Sequence, residues 1–355
     1  EKIISEIQVE GPITIERYMD ICLNDNDFGY YSSKVFNIGR LGDFITAPEI
    51  SQVFGELIGL WLAQTWIDRD SISPFNLVEL GPGNGTLMLD ILRSVKNVPN
   101  FFDLVYPVLV EKSKSLRKKQ QSILDKTKVQ WATNVLEIPD RPTFVVANEF
   151  FDALPIRQFI KFHGLWKERC VGLDEAQNFC FCHKPVLQQN ELHALYPNLP
   201  DDVYVETNNQ TIEIVSSLSE KLAKNNGVFL IIDYGCFGGV GDTLQAVSQH
   251  SFANPLSFPG DSDLTAHVNF ATIAAIAKNQ GLRSTKLCTQ RDFLISLGIK
   301  TRAYALGSQM SPKKNKMHLD AIDILINKEK MGEVFKIMAL TTQNSPTLPV
   351  LEKPQ

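Results

Sequence analysis

Short uninterrupted apolar runs alternate along the chain with longer stretches whose apolar residues recur every three or four positions. Ile15, Tyr18, Met19 and Cys22, after Gly11-Pro12, predict a first helix that stops in Asn24–Gly29. Ile50, Val53, Phe54, Leu57, Leu60 and Trp61 then form a wide stripe running to about Ile67, the mark of a helix buried against a larger body. Thr46 and Glu49 stand in front of it as a T-x-x-E capping box, with Pro48 tolerated in the first turn. Apolar runs ending at Glu79, Glu111, Trp131, Glu149 and Asp233 predict strands, and helical patterns at Leu87–Leu92 and Ser113–Leu124 separate the first three. That alternation predicts a parallel, doubly wound α/β sheet.

The pattern breaks from Ile156 to about Val205. Gln158–Lys161, Trp166–Leu173 and Asn178–His183 read as short strands turned at His163-Gly164 and Asp174–Gln177, an antiparallel insertion. Helices are expected at Asn209–Lys224, Leu264–Gln280 (closed by Gly281), Arg291–Gly298 and Leu319–Ile326. Leu282–Leu287 and Val334–Leu340 can supply a final strand pair, and the Pro-containing tail Asn344–Gln355 is expected to fray.

Composition narrows the function classes. The chain has 355 residues, 44% hydrophobic and 21% charged, enough for one large α/β domain with an insertion or for two domains. A net charge of −5 leaves no electrostatic footprint for nucleic acid. Six scattered cysteines read as free thiols in a reducing compartment. Cys180-Phe-Cys182-His183 invites a metal reading, but a strand would put His183 on the face opposite the two thiols, so no metal site is expected. The apolar runs are too short to span a bilayer, and the first residues resemble neither a signal nor a transit peptide. The basic residues of Ser113–Leu124 read as a solvated helix face.

The candidate chemistry gathers at strand ends. Glu79 is followed by Gly81, Gly83 and Gly85, a G-x-G-x-G turn between strand and helix. Such a turn admits an adenosine-bearing cofactor, and its spacing departs from the G-x-G-x-x-G of dinucleotide folds. The glycine backbone and the next helix N-terminus would receive the carboxylate of S-adenosylmethionine, with Glu79 facing its ammonium. Glu111, ending the second strand, offers two acceptor oxygens to a ribose diol. Asn134, after the third strand, is a candidate adenine contact, with a plain turn residue as the alternative. The fourth strand exits into Asn148-Glu149-Phe150-Phe151-Asp152, two carboxylates with two aromatics suited to holding a guanidinium. His267, expected in the first turn of a helix, is a candidate proton acceptor at the same rim as Asp233-Tyr234.

These stretches closely resemble the MidA-type methyltransferases, the mitochondrial complex I assembly methyltransferases and their bacterial relatives. The resemblance runs through Gly11–Thr14, Gly29–Tyr31, G-D-F-I-T-A-P-E-I-S-Q at 42–52, Leu77–Leu87 and N-E-F-F-D-A-L-P at 148–155. It continues through Asp233–Gly235, Gly241–Ala246, Pro259-Gly260, Asp263–Val268 and Met331-Gly332. It implies a class I, Rossmann-like methyltransferase with a seven-stranded sheet, an N-terminal helical lid over residues 1–70 and a core at 71–155 and 225–343. A substrate-side insertion would occupy 156–224, and a C-terminal tail 344–355. Implied too are S-adenosylmethionine as cofactor and symmetric ω-dimethylation of a protein arginine in a complex I subunit. The expected cofactor set is Thr46, Glu79, Gly81, Gly83, Gly85, Glu111, Asn134 and Asn148, and the expected catalytic set Glu149, Asp152 and His267. The location would be the cytoplasm in a bacterium, the favoured source, or the mitochondrial matrix in a eukaryote. The chain departs from the family pattern with Asn84 in place of Arg, Asn269 in place of Asp, and Ala132 where His is common. A methyltransferase for a small molecule or another side chain, and a non-catalytic assembly or scaffold protein, remain open as alternatives.

Overall fold

Among the described residues, six of the seven longer strands of the main sheet run parallel, and their order reverses where the glycine turn leaves the sheet. The computed structural model describes residues 1–33, 45–70, 73–125, 127–248 and 251–352. They fall into two units, one of Glu1–Phe36, Asp152–Ile212 and Gly238–His267, the other of Asn37–Phe151, Glu213–Phe237 and Val268–Gln355. Gly42, Asp43 and Phe44, at the start of the 42–52 block, lie outside the described residues.

The second unit carries the sheet. Its strands are β1 (Phe75–Leu80), β2 (Val105–Val110), β3 (Gln130–Ala132), β4 (Thr143–Asn148), β5 (Val228–Cys236), β6 (Leu282–Ser284) and β7 (Phe335–Thr342). They lie in the order β3-β2-β1-β4-β5-β7-β6, and β7 runs opposite to the other six. Two-residue strands at Val268–Asn269 and Cys288–Thr289 add to β5 and β7. The continuous apolar runs are explained by cover on both faces: Leu77, Val78, Val145, Val146 and Val228–Ile232 are all fully buried. The chain builds outward from β1 to β3 and then returns to the other side of β1 with β4. The carboxyl ends of β1 and β4 therefore flank the switch point where open α/β sheets bind ligands.

Helix α1 (Gln52–Ile67) lies on α2 (Thr86–Ser94) through two glycines. A Cβ on Gly55 would stand 2.6 Å from Asp90 Cβ, and one on Gly59 3.1 Å from Ile91 Cα. The backbones meet so closely that no larger residue fits, which fixes the helix that begins at the glycine turn.

The first unit is antiparallel. Leu165–Leu173 pairs with Arg157–Phe162, Phe179–Pro185 and Ile13–Thr14, and Arg157–Phe162 pairs with Tyr204–Thr207. The expected hairpins are present, with His163, Gly164 and Gln177 in the left-handed region their turns require. Cys182 lies opposite Cys170, and His183 Nε2 is 2.9 Å from the Tyr204 hydroxyl. Among the described residues no three His, Cys, Asp or Glu side chains group to hold a metal ion. No described helix is long and apolar enough to cross a membrane.

Three local expectations are corrected, and two helices are added. The T-x-x-E box does not cap α1: Thr46 precedes a separate turn of helix, Ala47–Ile50, without a side-chain cap bond, and Ser51 caps α1 through Val53 N at 3.3 Å. The helix expected from Leu264 begins at Phe270, because Asp263–Thr265 pairs as a strand and Asn269 caps Ala271 and Thr272. Asn accepts these amide bonds as well as Asp does, so the departure at 269 keeps the cap. Helices at Lys2–Glu10 and Ile299–Gly307 were not expected. The tail is pinned through residue 352: Leu348 is fully buried, the Pro349 carbonyl accepts Trp61 Nε1 at 2.8 Å, and Arg283 pairs with Glu352.

Candidate functional site

The turn after β1 has a shape that only glycine tolerates. Gly81, Gly83 and Gly85 have φ of 60°, 52° and 86°, in the left-handed region. A Cβ on Gly81 would lie 2.7 Å from the Phe150 ring, and one on Gly85 3.4 Å from Gln120 and Leu124. The amides of Gly81 and Gly85 close the turn onto Val110 O (3.1 Å) and Pro82 O (2.7 Å), and α2 begins at once. The loop is a rigid cradle.

Two buried carboxylates face it. Glu79 is 4% exposed; its Oε2 has no hydrogen-bond partner among the described residues, and burial pushes its carboxyl well above the usual range, opposed by the Met88 amide. Glu111 is also raised by burial, but Ser113 N (2.8 Å) and Gln120 Nε2 (3.2 Å) donate to its two oxygens. Gln120 is fully buried and donates as well to Gly83 O at 2.8 Å, while its Oε1 accepts Trp131 Nε1 at 2.9 Å. Strand β3, helix α3 (Lys114–Ile123), the glycine turn and Glu111 are thus tied by one amide. Sequence reading missed Gln120, which sits in a basic helix and shows its role only through tertiary contacts.

Glu49, expected in a capping box, reaches the glycine turn instead. Its Oε1 accepts Asn84 Nδ2 at 3.0 Å and Thr86 Oγ1 at 2.6 Å. The Asn at position 84 is therefore a specific neighbour of Glu49, and the turn keeps its shape with an uncharged residue there.

At the exit of β4, Asn148 is buried, with Nδ2 on Glu149 Oε1 at 3.0 Å and an Oδ1 that meets no partner among the described residues. Glu149 is half-buried and takes φ 52°, a conformation that costs a non-glycine residue roughly 1–3 kcal/mol. Asp233 holds it there. Fully buried within β5, Asp233 accepts Phe150 N (3.2 Å) and Phe151 N (3.0 Å) with one oxygen and Tyr234 N (2.9 Å) with the other. Glu149 N itself bonds Ile232 O at 3.0 Å.

The remaining candidates divide differently. Asn134 is exposed; its Oδ1 caps Leu136 N at 2.9 Å and its Nδ2 donates to Glu137, so its side chain is engaged in a turn. Thr46 is half-buried before the Ala47–Ile50 turn. Asp152 and His267 belong to the other unit. There Asp152 is buried and its carbonyl accepts Ala266 N at 2.9 Å, while His267 is exposed and its amide bonds Thr243 Oγ1 at 2.9 Å. His267 lies in the link after Asp263–Thr265, not in a helix as expected. Tyr31, in the same unit, donates to Asp263 Oδ1 at 2.8 Å, and burial, with Asp263 and Asp152 nearby, holds its phenol well above the usual range.

The donor set fits S-adenosylmethionine. A buried carboxylate oxygen without a partner among the described residues suits an ammonium, a second carboxylate with acceptor capacity left over suits a diol, and the cradle is one that a Cβ would fill.

Comparison with known proteins agrees. Residues 57–288 match the family described as "Putative S-adenosyl-L-methionine-dependent methyltransferase". The chain is 33% identical to the mitochondrial protein arginine methyltransferase NDUFAF7 homolog of Drosophila melanogaster, covering 95% of this chain and 83% of that protein. It is also 33% identical to the mitochondrial protein arginine methyltransferase NDUFAF7 of Homo sapiens, covering 94% and 81%. A Burkholderia thailandensis structure described as a "likely methyl transferase", with S-adenosyl-homocysteine bound, superposes with a TM-score of 0.85 at 26% identity, covering 99% of this chain and 94% of that one. By the cradle, the buried acids and these matches together, the chain belongs to the MidA-type family of S-adenosylmethionine-dependent methyltransferases.

Proposed function

We propose that the chain methylates the ω-nitrogens of an arginine in a protein, symmetrically, with a subunit of respiratory complex I as acceptor. The arginine methyltransferase names of its relatives support this reading. So, above all, does the carboxylate of Glu149, held at the exit of β4 next to Phe150, whose ring packs where a Gly81 side chain would be.

S-adenosylmethionine supplies a methyl group on a positively charged sulfur. The residues of the chain must then solve the acceptor's problem, since a guanidinium is charged at ordinary pH and a poor nucleophile. Glu149 is assigned to bind two guanidinium N–H groups, drawing positive charge toward those nitrogens and leaving the far one to attack. Asp152, three residues later in the sequence, is assigned as the second carboxylate for the cation. His267 is assigned to take the proton released as the new N–C bond forms. On the cofactor side Glu79 holds the ammonium and Glu111 the ribose diol, while Gly81, Gly83 and Gly85 give close backbone approach. Thr46, Asn134 and Asn148 complete the set. Catalysis then rests on positioning and exclusion of water. The setting that goes with this acceptor is the mitochondrial matrix in a eukaryote, or the cytoplasm of a bacterium.

Glu149→Gln tests the assignment. The variant is expected to bind S-adenosylhomocysteine with unchanged heat in calorimetry and to lose methyl transfer. Unchanged transfer removes Glu149 from the mechanism, and no binding heat from the parent protein overturns the cofactor assignment.

A further inference from the structure

The short turn Ala47–Ile50 touches two parts of the site at once. From one end Glu49 Oε1 accepts Asn84 Nδ2 and Thr86 Oγ1, in the glycine turn and at the head of α2. From the other end, two residues earlier, Ala47 N donates to Glu149 Oε1 at 3.1 Å. Pro48 lies between them and fixes its own φ, and both Ala47 and Pro48 are buried, so the link is short and stiff. Its far end is anchored too, because Ser51 caps α1 and α1 sits on α2 through Gly55 and Gly59.

We infer that Ala47–Glu49 is a mechanical link between the cofactor turn and Glu149, and that Glu49 is its positioning residue. Glu49 touches neither reacting group in this arrangement. It holds the link to the glycine turn, and the Ala47 amide holds one oxygen of Glu149, so ordering of the turn by a ligand is passed to the acceptor-side carboxylate. A carboxylate accepting two hydrogen bonds suits this task, since bonds to charged groups are the stronger ones. The inference rests on the reading of Glu149 as the acceptor-side group, but its test needs no acceptor.

The test is hydrogen–deuterium exchange of the full chain with and without S-adenosylhomocysteine, followed in peptides covering 45–52, 79–88 and 147–151. In the parent protein the ligand is expected to slow exchange in all three. In Glu49→Ala, ligand at saturation is expected to protect 79–88 still, while the added protection at 147–151 falls by roughly tenfold or more. Glu49→Gln keeps an oxygen able to accept both bonds and is expected to retain the coupling. Thr86→Val removes one donor from the other side and is expected to weaken it, which keeps the test open if Glu49→Ala does not fold. Ligand protection at 147–151 in both Glu49→Ala and Thr86→Val equal to the parent overturns the inference. So does a parent protein in which saturating ligand protects 79–88 alone. Failure of the arginine reading would appear separately, as absent methyl transfer.

Discussion

Gln120 Nε2 lies 3.2 Å from Glu111 Oε2 and 2.8 Å from Gly83 O, so one buried amide sets both the proposed ribose acceptor and the glycine turn. Its orientation is fixed from behind by Trp131 Nε1 on its Oε1. Gln120→Leu strands the Trp131 N–H and leaves Glu111 with one donor fewer, each a loss of about 1–3 kcal/mol. The expected result is a drop of roughly tenfold or more in affinity for S-adenosylhomocysteine, read by calorimetry, with a lower melting temperature. Trp131→Phe should reproduce part of the loss, since it frees the amide to rotate. Affinity at the parent level in Gln120→Leu would remove this tie from the site.

Glu79 predicts a proton linkage. Burial holds its carboxyl well above the usual range, which favours the protonated form in the ligand-free protein more than in an ordinary carboxyl, and pairing with an ammonium requires ionisation. Binding should therefore release a proton, and the calorimetric heat should vary with the ionisation enthalpy of the buffer. The stability of the ligand-free protein follows the same group. A folded-state value raised above the unfolded one contributes stability that is fully present below the unfolded pKa and lost as pH rises through the folded pKa. Asp90, pushed up by burial to about 6, adds a loss of the same sign. Glu79→Gln should abolish the proton release while leaving the Asp90 contribution, and a buffer-independent heat in the parent protein would contradict the assignment.

The contact between Gly81 and Phe150 predicts a coupled pair. Gly81→Ala adds a Cβ 2.7 Å from the Phe150 ring at a φ of 60°, which combines overpacking of roughly 1–3 kcal/mol with left-handed strain. The variant is expected to bind S-adenosylhomocysteine at least tenfold more weakly. Phe150→Ala in the same chain removes the clash, so the double variant should be more stable than the sum of the single losses, by about 0.5–3 kcal/mol. Strict additivity in thermal or urea unfolding would show that the two residues do not meet as described.

Much of this was legible in the sequence, and the remainder has physical reasons. Runs such as Phe144–Ala147 and Val228–Ile232 announce strands covered on both faces, and three glycines at alternate positions announce a turn that only glycine can make. Glu79 and Glu111 were visible because they stand at the carboxyl ends of β1 and β2. What was misread depended on partners far away in the chain. The T-x-x-E pattern at Thr46 and Glu49 is locally a cap, but Asn84 and Thr86 draw Glu49 away. Leu264 to Val268 has helical spacing, yet Asp263–Thr265 is taken up by pairing with Gln245–Val247, and Asn269 starts the helix afresh. The tail has no periodic pattern, and Leu348 with the carbonyl of Pro349 still fastens it to the core. Gln120 and Asp233 act through geometry that no local pattern encodes.

The most direct test of the central claim is quantitative mass spectrometry of arginine methylation in respiratory complex I subunits from cells with this protein, without it, and with Glu149→Gln in its place. The expected result is a symmetric dimethylarginine in one subunit that disappears without the protein and stays absent in the Glu149→Gln cells. An arginine methylation pattern identical in all three would contradict it.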